Sequence, residues 1–130
     1  MCTGNSCRSQ MAEGFAREIL SERDGIVDSA GVRADGINKF AIQVMREINI
    51  EISNQISKDM SYVDFDFFDI IVTVCDHAQI NCPVVMGKKI IHNQIMDPVN
   101  FKGSRTQTLE VYRKVRDQIK QMVIDILKDF

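Results

Sequence analysis

The stretch Cys2-Thr3-Gly4-Asn5-Ser6-Cys7-Arg8-Ser9 puts a cysteine, five residues and an arginine directly ahead of a segment with helical periodicity. A loop of this length can curl so that successive backbone N–H groups face one tetrahedral oxyanion, with a helix N-terminus behind it. Gly4 permits the tight curvature. Arg8 can fork two donors onto the anion's oxygens, a geometry that lysine cannot copy. The same donors, joined by the Ser9 hydroxyl, favour thiolate over thiol at Cys2 and make its sulfur a nucleophile. The expected oxyanion cradle is therefore Thr3, Gly4, Asn5, Ser6, Cys7 and Arg8. The loop lacks the Gly-Lys-Ser/Thr ending of nucleotide-binding phosphate loops, so nucleotide hydrolysis is not indicated.

Outward from the loop, Met11, Phe15, Ile19 and Leu20 recur at helical spacing. They predict a helix from Ser9 to about Arg23, with Ser9 as N-cap and Gly25 as the stop. Ile26 to Val32 is short, β-branched and bounded by glycines, and is expected as a strand. Asn38 opens a second helix with Ala41, Val44, Met45 and Ile48 on one face. Asp69 to Val74 is the near-continuous apolar run of a strand buried on both faces. Lys89 to His92 is a further strand candidate, and His92 is expected as a strand residue with a satisfied ring. Leu109, Tyr112, Val115, Ile119, Met122, Val123, Ile126 and Phe130 form the stripe of a last helix. Strands alternating with helices argue for a parallel sheet covered on both faces, whose ligands bind at the carboxyl ends of the strands. Cys75 follows one strand at that edge, and Asp97 follows the next by a short loop.

The chain has 130 residues, 45% apolar and 26% charged, with 16 basic against 18 acidic side chains and a formal charge of −2. That is the composition of one globular domain spanning 1–130. No basic field offers itself to nucleic acid, and no stretch approaches the roughly 18 apolar residues of a membrane span. Four cysteines without a secretory leader point to a cytoplasmic chain with reduced thiols. Cys2 and Cys7, and Cys75 and Cys82, then suggest redox chemistry, a catalytic thiol or a metal site. Their spacing, with four and six intervening residues, argues against structural zinc, and two scattered histidines add nothing, so no metal site is expected. Cys7 is read as filler. The acidic residues Asp59, Asp64, Asp66, Asp69 and Asp76 are read as a solvated loop, with Tyr62, Phe65, Phe67 and Phe68 as core and rim packing.

Cys2 to Glu13 resembles the motif of the thioredoxin-coupled arsenate reductases, which share the fold of low-molecular-weight protein tyrosine phosphatases. The resemblance continues through Ser29-Ala30-Gly31, Ile52-Ser53-Asn54, Val74-Cys75 to Cys82-Pro83, Asp97-Pro98 and Tyr112 to Ile119. It implies a three-layer α/β/α fold with a four-stranded parallel sheet of order 2-1-3-4. It further implies that Cys2 attacks arsenic, that Asp97 is the general acid for the leaving oxygen, and that Cys75 and Cys82 are relay thiols. Arsenate would be the substrate, and thioredoxin the partner that reduces a Cys75–Cys82 disulfide. Cys2, Arg8, Ser9, Cys75, Cys82 and Asp97 are thus the expected catalytic set.

Two departures stand beside the resemblance. Family members carry several residues ahead of the loop that form the central first strand; here only Met1 precedes Cys2, so that strand is expected to be largely missing and the start to be mis-set or truncated. Some members also hold potassium. Asn5, Glu13 and Ser29 match that site, but Ile56 and Lys58 stand at its other two side-chain positions, usually Thr and Asp. An ammonium at Lys58 in place of the cation predicts little potassium dependence, and no other cofactor is expected. The competing functions are a phosphotyrosine phosphatase, which would use the same Cys2, Arg8 and Asp97, and a non-enzymatic thiol sensor of oxidants.

Overall fold

The computed structural model describes residues 1–74 and 89–128. Its elements in chain order are α1 (Arg8–Leu20), α2 (Lys39–Arg46), β1 (Ile70–Thr73), β2 (Lys89–His92) and α3 (Arg105–Leu127), with short 3₁₀ turns at Met60–Tyr62, Phe65–Phe67 and Pro98–Asn100. Cys75 and Cys82 lie outside the described residues.

β1 and β2 pair in parallel, with Ile70 opposite Lys89 and Thr73 opposite His92. On that pair, Thr73 Oγ1 and His92 Nδ1 lie 2.6 Å apart, so the imidazole has a cross-strand partner. The other flank of β1 is held by the chain's first residues. The Met1 ammonium donates to Val72 O at 2.6 Å, and Val74 N donates to Met1 O at 2.9 Å. Cys2 N in turn donates to Ala30 O at 3.3 Å and Val32 N to Cys2 O at 3.2 Å. Met1 and Cys2 therefore lie between β1 and the 26–32 segment, where the order 2-1-3-4 sets the first strand.

The expected strand from Ile26 to Val32 is not formed as one. Only single bridges, Cys2 with Gly31 and Gly31 with Asp59, mark it. A ladder needs a partner along its length, and the segment borders a cavity of about 390 Å³ lined by residues such as Met1, Ala12, Ala16, Val27, Ile71 and Met122. Phe65, Phe67 and Phe68 also border it, but Phe67 and Tyr62 stay largely exposed, against the expected packing.

The helices fall close to their expected places, with differences at the ends. α2 begins as Asn38 predicts, its side chain accepting from Phe40 N and Ala41 N. α3 begins four residues before Leu109, because Ser104 and Gln107 close a capping box in which each side chain bonds the other's backbone N–H. α3 packs on both α1 and α2. The resulting core joins Met11 and Phe15 of α1, Ala41, Val44 and Met45 of α2, and Tyr112, Val115 and Ile119 of α3. Arg116 adds a polar tie, donating to Val44 O and Glu47 at 2.9 Å each.

Ile119 is fully buried in that core. Ile119→Ala is expected to lower the unfolding free energy by about 2–5 kcal/mol, while Gln118→Ala on the exposed face shifts it by no more than about 0.5 kcal/mol. Urea denaturation of the two variants measures both.

Candidate active site

The loop from Cys2 to Arg8 curls because its carbonyls are tied outward. Cys2 O, Thr3 O, Gly4 O and Ser6 O accept from the backbone N–H groups of Val32, Arg33, Asp35 and Asn38 at 2.9–3.2 Å. Asn5 O accepts from Ser57 Oγ at 2.8 Å and Gln10 Nε2 at 3.1 Å, and Cys7 O from Met11 N at 2.9 Å. Among the described residues all peptides are trans, and in a trans peptide the N–H opposes the carbonyl. Carbonyls turned out therefore turn the N–H groups from Thr3 to Arg8 inward. The 30–38 segment can lie this close because residue 31 is glycine: an added Cβ would stand 2.6 Å from Asn5 N and 2.7 Å from Thr3 O.

Asn5 holds the curl from inside. It sits at φ 47°, a left-handed conformation that asparagine tolerates better than other side-chain-bearing residues, and it is fully buried. Its Oδ1 accepts from Gln10 Nε2 at 2.9 Å and Lys58 N at 2.8 Å. Its Nδ2 donates to Ser9 Oγ and Ser29 Oγ at 2.9 Å each. Gln10 is itself fixed by Gln55 Nε2, which donates to Gln10 Oε1 at 2.7 Å. Sequence reasoning passed over Gln10 and Gln55, which carry no local signal of burial.

Cys2 Sγ is buried and lies 2.9 Å from Ser9 Oγ. Ser9 is not the N-cap expected of it. α1 starts one residue earlier with Cys7 as N-cap and no side-chain cap bond, since the Ser9 hydroxyl is engaged with Cys2 and Asn5. An uncapped helix start leaves N–H donors and the positive end of the helix dipole facing the loop.

Arg8 and Asp97 are brought together as the sequence expects. Arg8 NH2 meets Asp97 Oδ2 at 3.2 Å, and NH1 donates to Ile95 O at 3.0 Å. Asp97 Oδ1 accepts from Val99 N at 3.0 Å, capping the 98–100 turn. Thus Cys2, Ser9, Arg8 and Asp97 share one site at the carboxyl edge of the sheet.

Cys7 is 3% exposed and belongs to the helical core. Burial pushes its thiol well above the ordinary range, aided by the charges of Asp97 and Cys2 and opposed by Arg8. Beside it, burial first and then the neighbouring Cys7 side chain push the Tyr112 hydroxyl up to about 12, and its oxygen accepts from Asn38 Nδ2 at 3.1 Å.

The side chains matched to a potassium site are engaged with other protein groups. Both lone pairs of Asn5 Oδ1 are taken. Glu13 Oε1 accepts from Ser29 Oγ at 2.6 Å and Oε2 from Arg17 Nε at 2.9 Å. The Lys58 ammonium forms an ion pair with Asp28. Among the described residues, no three His, Cys, Asp or Glu side chains are grouped to hold a metal ion, and no helix is long and apolar enough to cross a membrane.

The chain is similar to several known proteins. The family described as low molecular weight phosphotyrosine protein phosphatase matches residues 1–130. An arsenate reductase of Halalkalibacterium halodurans is 40% identical over 95% of this chain and 88% of its own, and one of Oceanobacillus iheyensis 42% identical over 92% and 86%. A solved arsenate reductase in its oxidized state superposes with a TM-score of 0.85 at 32% identity, covering 98% of this chain and 93% of that one.

A raised thiol stays neutral in the fold while the unfolded chain ionises near the ordinary thiol value of 9.0, so the folded state binds more protons and stability falls as pH rises from there. Below that pH the contribution is fully present. The urea midpoint is therefore expected to drop from about pH 8 to about pH 10, and to drop less in Cys7→Ala.

Proposed function

The chain belongs to the low molecular weight phosphotyrosine protein phosphatase family, and within it we propose that this protein reduces arsenate to arsenite by a three-cysteine relay that thioredoxin regenerates. The observation that carries the reading is a buried thiol inside an inward-facing amide loop, bordered by an arginine that is paired with a carboxylate. A 40% identical arsenate reductase supports arsenic as the reacting centre, and a solved relative described in a phosphate binding state supports a tetrahedral oxyanion as the ligand.

Dihydrogen arsenate sits in the loop with its oxygens on the backbone N–H groups and Arg8, which balance the charge that builds as the thiolate attacks. The Cys2 sulfur–arsenic bond forms as the opposite arsenic–oxygen bond breaks. One arsenate O–H proton passes through Asp97 to the leaving oxygen, which departs as water. Ser9 Oγ, 2.9 Å from Sγ, holds the sulfur in place for the attack. Cys75 then bonds to the Cys2 sulfur; the sulfur–arsenic bond breaks with its electron pair on arsenic, and arsenite leaves after taking up protons. Cys82 attacks Cys75 and releases Cys2 as thiolate, and the dithiol of thioredoxin reduces the Cys75–Cys82 disulfide. A phosphatase would use the same Cys2, Arg8 and Asp97 but needs neither Cys75 nor Cys82.

NADPH consumption with arsenate, thioredoxin and thioredoxin reductase tests this. Cys2→Ser, Cys75→Ser and Cys82→Ser are each expected to abolish turnover, with a Cys2–Cys75 disulfide trapped in Cys82→Ser; full activity without Cys75 would end the relay reading. Hydrolysis of p-nitrophenyl phosphate that exceeds arsenate reduction would favour the phosphatase. We further propose little potassium dependence, because Lys58 and Arg17 supply the positive charge beside Asp28 and Glu13. A several-fold rise in rate with potassium, but not with sodium at equal ionic strength, would contradict it.

A further inference from the structure

Of the loop carbonyls from Cys2 to Cys7, that of Asn5 has no backbone N–H as partner among the described residues; side chains alone hold it outward, Ser57 Oγ at 2.8 Å and Gln10 Nε2 at 3.1 Å. The Ser57 hydroxyl is half-buried and can rotate, whereas Gln10, the third residue of α1, is fully buried. Its Nε2 also faces Asn5 Oδ1 at 2.9 Å and Ile56 O at 3.3 Å. An amide nitrogen donates and an amide oxygen accepts, so the reverse orientation would set the Gln10 oxygen against three others. Gln55 opposes that reversal: its Nε2 donates to Gln10 Oε1 at 2.7 Å and to Gln10 O at 2.9 Å. Donation thus runs one way, from Gln55 through Gln10 to Asn5.

We propose that Gln10 is a positioning residue for the loop and that Gln55 acts through it. In the trans peptide between Asn5 and Ser6 the Ser6 N–H points opposite to Asn5 O, so the amide that holds the carbonyl out also holds that N–H in. Without the Gln10 donor, Asn5 O loses its rigid partner. The peptide is then free to rotate away from a left-handed conformation, φ 47°, that is strained in itself. The oxyanion meets one aligned donor fewer, and an aligned donor counts most for charge that builds up in the transition state. Removing the Gln55 donor leaves Gln10 Oε1 unpaired in a buried site, and the Gln10 amide free to turn. The inference rests on the oxyanion-loop reading above and deepens it: neither glutamine belongs to the loop, and both act on it through the Asn5 carbonyl.

The test uses the full chain, with inorganic phosphate as the probe. Its protection of Cys2 against iodoacetamide is followed by mass spectrometry of the Cys2 peptide, at a temperature where circular dichroism shows each variant folded. Gln10→Met, close to glutamine in length but without a donor, is expected to raise the phosphate concentration for half-protection at least about tenfold, and to lower kcat/KM for arsenate by at least as much. Gln55→Met is expected to move both in the same direction by about threefold. The double variant is expected to match Gln10→Met alone, because Gln55 reaches the loop through Gln10. A merely structural pair would lower the urea midpoint and leave half-protection unchanged. Half-protection in Gln10→Met within about twofold of the unsubstituted protein, or a Gln55→Met effect that persists in the Gln10→Met background, would overturn the inference. Should Gln10→Met not fold, unchanged half-protection in Gln55→Met overturns it. Phosphate that protects while arsenate is not turned over would sink the reductase reading and leave the positioning standing. No protection of the unsubstituted protein would overturn the oxyanion loop itself, and the positioning with it.

Discussion

The amide of Asn5 is the point on which the active loop hangs. A backbone that curls through φ 47° at a residue with a side chain is strained, and such strain persists only where the surroundings over-determine it. Here four hydrogen bonds do so, to Ser9, Gln10, Ser29 and Lys58. They reach α1, the extended 26–32 segment and the stretch before the first 3₁₀ turn. The fold thus converges on one buried side chain, and the inward set of N–H groups follows from it together with the outward pairing of the carbonyls.

The helices serve the loop in two ways. α1 presents its uncapped N-terminus to the loop, and it can leave that end uncapped because its other face is anchored in the core through Met11 and Phe15. α3 braces the loop's exit: Tyr112, buried against Phe40 with ring centroids 5.3 Å apart, accepts from Asn38, whose N–H in turn bonds Ser6 O. A core contact and a loop contact therefore share one residue. The neutral thiol of Cys7 fits the same economy, filling the space under the loop without adding a charge near Cys2.

Much of this was legible in the sequence because the signals are local. The Cys2 to Ser9 run, the Asn38 cap and the apolar run into β1 each lie within a few residues and carry their own reason. What failed is non-local. The 26–32 segment has strand composition, but a strand exists only with a ladder partner, and composition does not reveal how far its neighbour extends. Ser9 looks like an N-cap until the spatial approach of Asn5 and Cys2 gives its hydroxyl other partners. Gln10 and Gln55 look like surface amides, since nothing in one sequence tells a buried polar hub from a solvated one. The Ser104-x-x-Gln107 box is local, by contrast, and explains why α3 begins earlier than its apolar stripe.

Arg8 joins two parts of the chain that are far apart in sequence and that the chemistry needs at one point. The loop supplies the sulfur and the amides; the segment after β2 supplies the carboxylate. Parallel strands deliver both to the same edge of the sheet, but delivery to an edge leaves several ångströms of freedom, whereas proton transfer to a leaving oxygen requires hydrogen-bond distance. A buried guanidinium removes that freedom, because leaving its donors unpaired would cost more than ordering the segment it binds. The Ile95 carbonyl and the Asp97 carboxylate are its partners, so the residue proposed to grip the oxyanion also sets where the proposed acid stands. Lysine, with a single point of charge on a flexible stem, could neutralise the anion but could not fix both.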